Sequence, residues 1–130
     1  GNEAQKENAA GALANLALND DSSVAIVAAG GIEVLVSLAR DGNEGQKDCA
    51  AGALWNLTIN DDLKAATVAA GGIEVLVSLA RDGTEGQTEC AASVLRNLTY
   101  NEDNRVAIAA AGGIEVLVAL ARDGNEAQKE

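Results

Sequence analysis

Stretches rich in Ala, Leu, Val and Ile alternate with short polar segments at regular points along the chain. In residues 42–82 this pattern predicts a long helix over Glu44–Thr58, with its boundary near Asn60. It then predicts a short helix through Ala70 and a further helix over Ile73–Arg81. The chain has no proline, which also favours helices separated by glycine turns over strands. We therefore predict an all-α fold.

Two kinds of local signal mark the helix ends. Asn43 and Gln46 have the spacing of a capping box, in which each side chain bonds the backbone of the other residue, and Thr84 and Gln87 repeat it. The short helix is expected to begin at a cap formed by Asp61 or Asp62, and the glycine pair that follows it at residues 71–72 predicts a sharp turn.

The whole arrangement recurs with a period of 41 residues and no insertions. The units are residues 1–41, 42–82 and 83–123, and the partial unit 124–130 repeats the first seven residues letter for letter. A single unit cannot bury its apolar stripes, so we expect the units to stack into one domain over residues 1–130.

Composition limits the partners that such a stack would bind. The formal charge is −11, from 20 acidic and 9 basic residues, so nucleic acid and anionic membranes would be repelled. A neutral or basic partner is electrostatically favoured. The longest apolar runs are shorter than a membrane span, so we expect no direct membrane insertion.

Candidate chemistry is sparse. Cys49 and Cys90 occupy the same place in consecutive units, too far apart to bridge, which predicts free thiols in a reducing cytoplasmic or nuclear environment. The chain has no histidine, so no zinc site or Cys/His nucleophile is expected. We predict neither a metal nor a cofactor, and a protein that is not an enzyme.

The unit resembles the armadillo repeat. The resemblance rests on the core CAAGALWNLT of the long helix and on the corner AAGGIEVLVSLAR, which recur in variant form at constant spacing over the whole chain. It is nearest to the catenin and vacuolar-membrane branch, and the uniformity of the units suggests recent duplication or engineering. The resemblance implies a right-handed superhelical solenoid of three repeats whose concave groove, lined by the long helices, binds extended peptides.

The resemblance also implies candidate binding residues. In armadillo proteins an asparagine of the long helix pairs with the backbone of the bound peptide, and the matching positions here are Asn15, Asn56 and Asn97. Helical geometry adds a floor of small or polar residues around Asn56, formed by Gly45, Cys49, Gly52 and Asn60. The nuclear-import branch carries a tryptophan four residues before this asparagine, and its absence here argues against recognition of a nuclear localisation signal.

A second group of candidates lies on the flank of the same helices. Trp55 precedes Asn56, and Arg96 is its counterpart in the third unit. Asp48 and Glu89 are placed to attract a basic side chain whose methylene groups pack on the indole. The alternative is that Trp55 covers the seam between units, that the acids are solvated, and that the asparagine amides support a neighbouring helix.

Two functions remain open on this sequence. The first is a scaffold that binds an extended, neutral or basic polypeptide. The second is a structural or engineered array without a natural ligand, which associates head to tail through apolar surfaces expected at both ends. In that case the heptad GNEAQKE at residues 124–130 would compete with the same heptad of a neighbouring copy.

Overall fold

The computed structural model describes residues 2–124, and this part of the chain folds into nine α-helices. No single helix in this part is long and apolar enough to cross a membrane. Three pairs of consecutive helices reach the required length and apolar composition when the two helices are taken together, but each pair is sharply bent. In chain order the helices are α1 Asn2–Leu16, α2 Asp20–Ala28, α3 Gly31–Asp41, α4 Glu44–Leu57, α5 Asp61–Ala69, α6 Gly72–Asp82, α7 Glu85–Leu98, α8 Glu102–Ala110 and α9 Gly113–Asp123.

The predicted all-α fold is confirmed, with small shifts of the boundaries. The long helix α4 ends at Leu57, with Thr58 as its C-cap, and α5 ends at Ala69. The helix expected over Ile73–Arg81 begins one residue earlier and ends one residue later. Both capping boxes form, since the side chain of Asn43 accepts from the Gln46 amide at 2.9 Å and Thr84 does the same for Gln87.

The predicted caps of the short helices are wrong. Asn60 caps α5 through its carboxamide oxygen, which accepts from the Asp62 amide at 2.9 Å, whereas Asp61 and Asp62 lie within the first turn. Asn60 has the extended backbone that an N-cap requires. The two aspartates are placed to stabilise the positive end of the helix dipole. Asn19 and Asn101 are the equivalent caps of α2 and α8.

The two glycines of each corner have different roles. Gly71 adopts a left-handed φ of 84°, which side chains with a β-carbon rarely adopt. Gly72 has an ordinary φ, but a β-carbon there would lie 2.7 Å from the Thr67 carbonyl oxygen. The pair thus turns the chain by 88° between α5 and α6 while keeping the two helices in close contact.

The long helices stack side by side and form the centre of the solenoid. α4 packs between α1 and α7, and the second short helix of each corner packs on the long helix that follows it, α3 on α4 and α6 on α7. Leu54, Leu57, Leu95 and Leu98 of these long helices are fully buried. The core therefore runs continuously through the units instead of closing within each one.

Candidate binding face

The three candidate asparagines lie on consecutive long helices. Asn15 is exposed on α1, whereas Asn56 on α4 and Asn97 on α7 are half-buried. Because α4 contacts both α1 and α7, the three positions follow one another across adjacent helices. We call this surface of α1, α4 and α7 the asparagine face.

Two of these asparagines also connect neighbouring long helices. The Nδ2 of Asn56 donates to the Ala14 carbonyl oxygen at 2.9 Å, and the Nδ2 of Asn97 donates to the Thr58 hydroxyl at 3.4 Å. A carboxamide offers two N–H groups and a carbonyl oxygen, so each keeps one donor and its acceptor available. Among the described residues none bonds the Asn15 side chain, which therefore has its full capacity for a ligand.

The floor beside Asn56 contains open space. A β-carbon at Gly52 would meet nothing within 4 Å, and one at Gly11 would only touch the Cys49 sulfur at 3.7 Å. Gly45 is different, because a β-carbon there would overlap the Glu7 carboxylate. The floor is thus open at Gly52, whereas near Gly45 it is partly covered by the Glu7 side chain.

The polar end of this floor has a structural role. Asn60 was expected to contribute to the floor, and its side-chain oxygen is instead used as the N-cap of α5. Asn101 likewise accepts from the Asn104 amide at 3.1 Å. These asparagines are therefore less available to a ligand than the three of the asparagine face.

The flank residues differ in exposure and in the contacts that they make within the protein. Trp55 is 36% exposed and Arg96 is also exposed, so both present side-chain surface to solvent. One oxygen of Asp48 accepts from Gln87 Nε2 at 2.9 Å, which ties it to the next unit. Glu89 and Arg96 line a shallow cavity of about 230 Å³ beside Leu120.

Acidic side chains surround the two cysteines. Both cysteines are free thiols, as the sequence predicted. Burial raises the pKa of the Cys49 thiol, and the carboxylates of Glu7 and Asp48 raise it further. Burial likewise raises the pKa of the Cys90 thiol, and the carboxylates of Glu89 and Asp48 raise it further. These thiols are therefore protonated at neutral pH, and the surface around them has a negative potential.

Sequence reasoning missed one important pair of buried residues. Gln46 and Gln87 are each 1% exposed, and beyond the capping box their Nε2 groups reach back to the preceding long helix. Gln46 donates to the Glu3 carbonyl oxygen at 2.9 Å and to the Glu3 carboxylate at 3.0 Å. A glutamine that recurs at the same place in every unit was the available signal. No group of three His, Cys, Asp or Glu residues within residues 2–124 is arranged to hold a metal ion.

The family model for the Armadillo/beta-catenin-like repeat matches residues 19–59, which cover α2, α3 and α4. The chain has an armadillo-type repeat fold. No curated protein sequence matches it. The solved structures similar to this armadillo chain include an engineered protein from the Northeast Structural Genomics Consortium, which is 36% identical with a TM-score of 0.87. That comparison covers 95% of this chain and 51% of the other.

Two further similar structures are described as armadillo designs. One is a designed armadillo repeat protein in complex with the peptide (KR)4, with 28% identity, a TM-score of 0.84 and coverage of 92% of this chain and 52% of that chain. The other belongs to computationally designed armadillo repeat proteins for modular peptide recognition, with 27% identity, a TM-score of 0.88 and coverage of 95% and 53%. The armadillo chain described here spans about half the length of these structures.

Proposed function

We propose that this armadillo scaffold binds an extended polypeptide along the asparagine face, through Asn15, Asn56 and Asn97. The observation that carries the proposal is that these carboxamides occupy equivalent positions on adjacent long helices and keep hydrogen-bonding groups unused. An extended peptide presents an N–H and a C=O at each residue, which a carboxamide can satisfy together. Binding of this kind recognises the backbone of the peptide.

The shape of the face supports an extended ligand. The open space at Gly52 leaves room for a peptide to approach the helix backbone closely. A folded partner would need a broader apolar surface, and the exposed positions of this floor are small or polar instead. Trp55 is the one large aromatic side chain beside it and would pack against the methylene groups of a bound residue.

Charge favours a basic ligand over a neutral one. The chain has a formal charge of −11, and Asp48 and Glu89 border the face. The designed relative in complex with (KR)4 is a structural precedent for a basic peptide on this fold. Arg96 interrupts the acidic flank in the third unit, so we expect the first two units to attract basic side chains more strongly.

The structure indicates which variant tests the proposal without disturbing the fold. Asn56→Ala and Asn97→Ala would each remove a contact between helices, whereas Asn15→Ala removes none among the described residues. Asn104→Ala is the matched control, because Asn104 lies on α8 and its side chain has no hydrogen bond within the described part. Both changes leave the net charge unaltered.

The experiment is a titration followed by the fluorescence of Trp55, the single tryptophan of the chain. The peptides are an alternating Lys-Arg octapeptide and a neutral octapeptide of Ser and Thr. We expect saturable binding of the basic peptide, which weakens about two- to tenfold in Asn15→Ala, the range of one net hydrogen bond. Asn104→Ala should bind as the parent does. The absence of binding up to about 1 mM, or equal behaviour of the two variants, would refute the proposal.

A further inference from the structure

The C-terminal end of the solenoid exposes apolar positions that are buried inside it. Val36 and Val77 are 2% and 1% exposed, whereas Val118, the same position in the third unit, is 53% exposed. Ile114 is also exposed although its equivalents in the first two units are buried. We call the surface of α9 around Ile114 and Val118 the C-terminal end face.

The N-terminal end shows the complementary pattern. Val34 of α3 is 53% exposed, whereas its equivalents Val75 and Val116 are 6% and 8% exposed. Leu16 of α1 is exposed although Leu57 in α4 is fully buried. A largely apolar cavity of about 400 Å³ lies between α1 and α3. We call this surface the N-terminal end face.

We propose that the C-terminal end face of one copy binds the N-terminal end face of a second copy. Inside the chain, α4 and α6 both pack against α3. A second copy displaced by one unit places its α1 and α3 against α9 of the first copy in the same way. The contact between copies thus continues the interface between units, and it is heterologous because two different faces meet.

The sequences of the packing helices support this continuity. Helix α9 reads GIEVLVALARD, which differs from GIEVLVSLARD of α3 and α6 only by an alanine in place of a serine. Helix α1 carries AAGALANL where α4 carries AAGALWNL. Each end face therefore meets nearly the same side chains as its internal equivalents do.

The sequence predicts one competitor for the C-terminal end face, which is the heptad at residues 124–130 of the same chain. The predicted competition between residues 124–130 and the first heptad of a neighbour involves residues 125–130, which lie outside the described residues. Deleting residues 125–130 removes this competitor. We expect the deletion to strengthen association between copies.

The structure offers matched substitutions for the test. Val118→Asp and Val34→Asp each place a charge on one end face, at positions already solvent-exposed in the single chain. Val106→Asp is the control, since Val106 is 64% exposed on α8 and its equivalent Val24 is exposed as well, so this position belongs to neither end face. None of the three changes should disturb the helical fold, which circular dichroism verifies.

Sedimentation analysis over a wide concentration range measures the association. We expect the parent and Val106→Asp to form species larger than the 13.1 kDa monomer, and each end-face variant to weaken the association more than about tenfold. An equimolar mixture of Val34→Asp and Val118→Asp restores one intact pair of faces, so it should form dimers and nothing larger. A monomeric parent at all concentrations, or equal association of all variants, would overturn the proposal.

Discussion

Replacing Gly52 with alanine should stabilise the protein, although the position lies in the middle of α4 next to a buried core. A β-carbon at Gly52 meets nothing within 4 Å, so the added methyl group causes no overlap. Glycine in a helix interior costs about 0.8–1.0 kcal/mol relative to alanine because the unfolded glycine is more flexible. We therefore expect Gly52→Ala to raise the free energy of unfolding by about 0.5–1 kcal/mol.

The size of this effect is measurable. For a chain of this length a change of about 1 kcal/mol corresponds to roughly 3–5 °C in the melting temperature. Thermal and urea unfolding followed by circular dichroism at 222 nm would both report it, with midpoints compared between variants because units of a solenoid need not unfold as one.

Gly72→Ala is the control within the same unit. Its β-carbon would lie 2.7 Å from the backbone oxygen of Thr67, which cannot move without shifting α5. We expect a loss of about 1–3 kcal/mol, the usual cost of forcing extra atoms into a packed site. If Gly52→Ala were destabilising, the floor of the asparagine face would be occupied, and the reasoning that leaves room for a peptide would be refuted.

Further predictions follow from individual contacts. Asn56→Ala should lower the free energy of unfolding by about 0.5–1.5 kcal/mol in urea unfolding, because the bond to the Ala14 carbonyl is lost, whereas Asn15→Ala should change it little. Removing the cap with Asn60→Ala should cost about 1 kcal/mol in the same assay, and an unchanged midpoint would contradict the capping role. Because their pKa values are raised, Cys49 and Cys90 should react with a thiol reagent more slowly in the folded protein than in urea at pH 7.5, and the folded rate should rise as the pH increases above 9; equal rates at pH 7.5 would contradict this. Association between copies should strengthen with added salt, measured by sedimentation, since each copy has a formal charge of −11.

The order of helices was predictable because the same signals recur in every unit. The Gly71–Gly72 corner and the capping box of Asn43 and Gln46 each depend on residue types with a specific backbone or hydrogen-bonding property. Such local requirements are visible in a sequence. The boundaries therefore agree with the structure to within about one residue.

The cap of the short helices was harder to assign. Asn60, Asp61 and Asp62 are all good N-cap residues, and their order alone does not show which one has the extended backbone. In the structure α4 ends at Leu57, which is fully buried, and Asn60 is the residue with the extended backbone of an N-cap. The residue types alone do not contain this information.

The candidate site was only partly predictable for a similar reason. The equivalent positions of Asn15, Asn56 and Asn97 follow from the period, but the bonds from Asn56 to Ala14 and from Gln46 to Glu3 connect residues 42 and 43 positions apart. No local pattern encodes such contacts between units. The bond from Asn56 shows that the asparagine face also helps hold the solenoid together.

Peptide binding along the asparagine face can be followed through the side-chain amide signals of the asparagines in a ¹⁵N-labelled sample. An alternating Lys-Arg octapeptide is titrated while these NH₂ resonances are followed by NMR. We expect the signals of Asn15, Asn56 and Asn97 to shift together and saturate, while those of the helix caps Asn60 and Asn101 stay in place. Shifts confined to the caps, or no shift at about 1 mM peptide, would contradict peptide binding along the asparagine face.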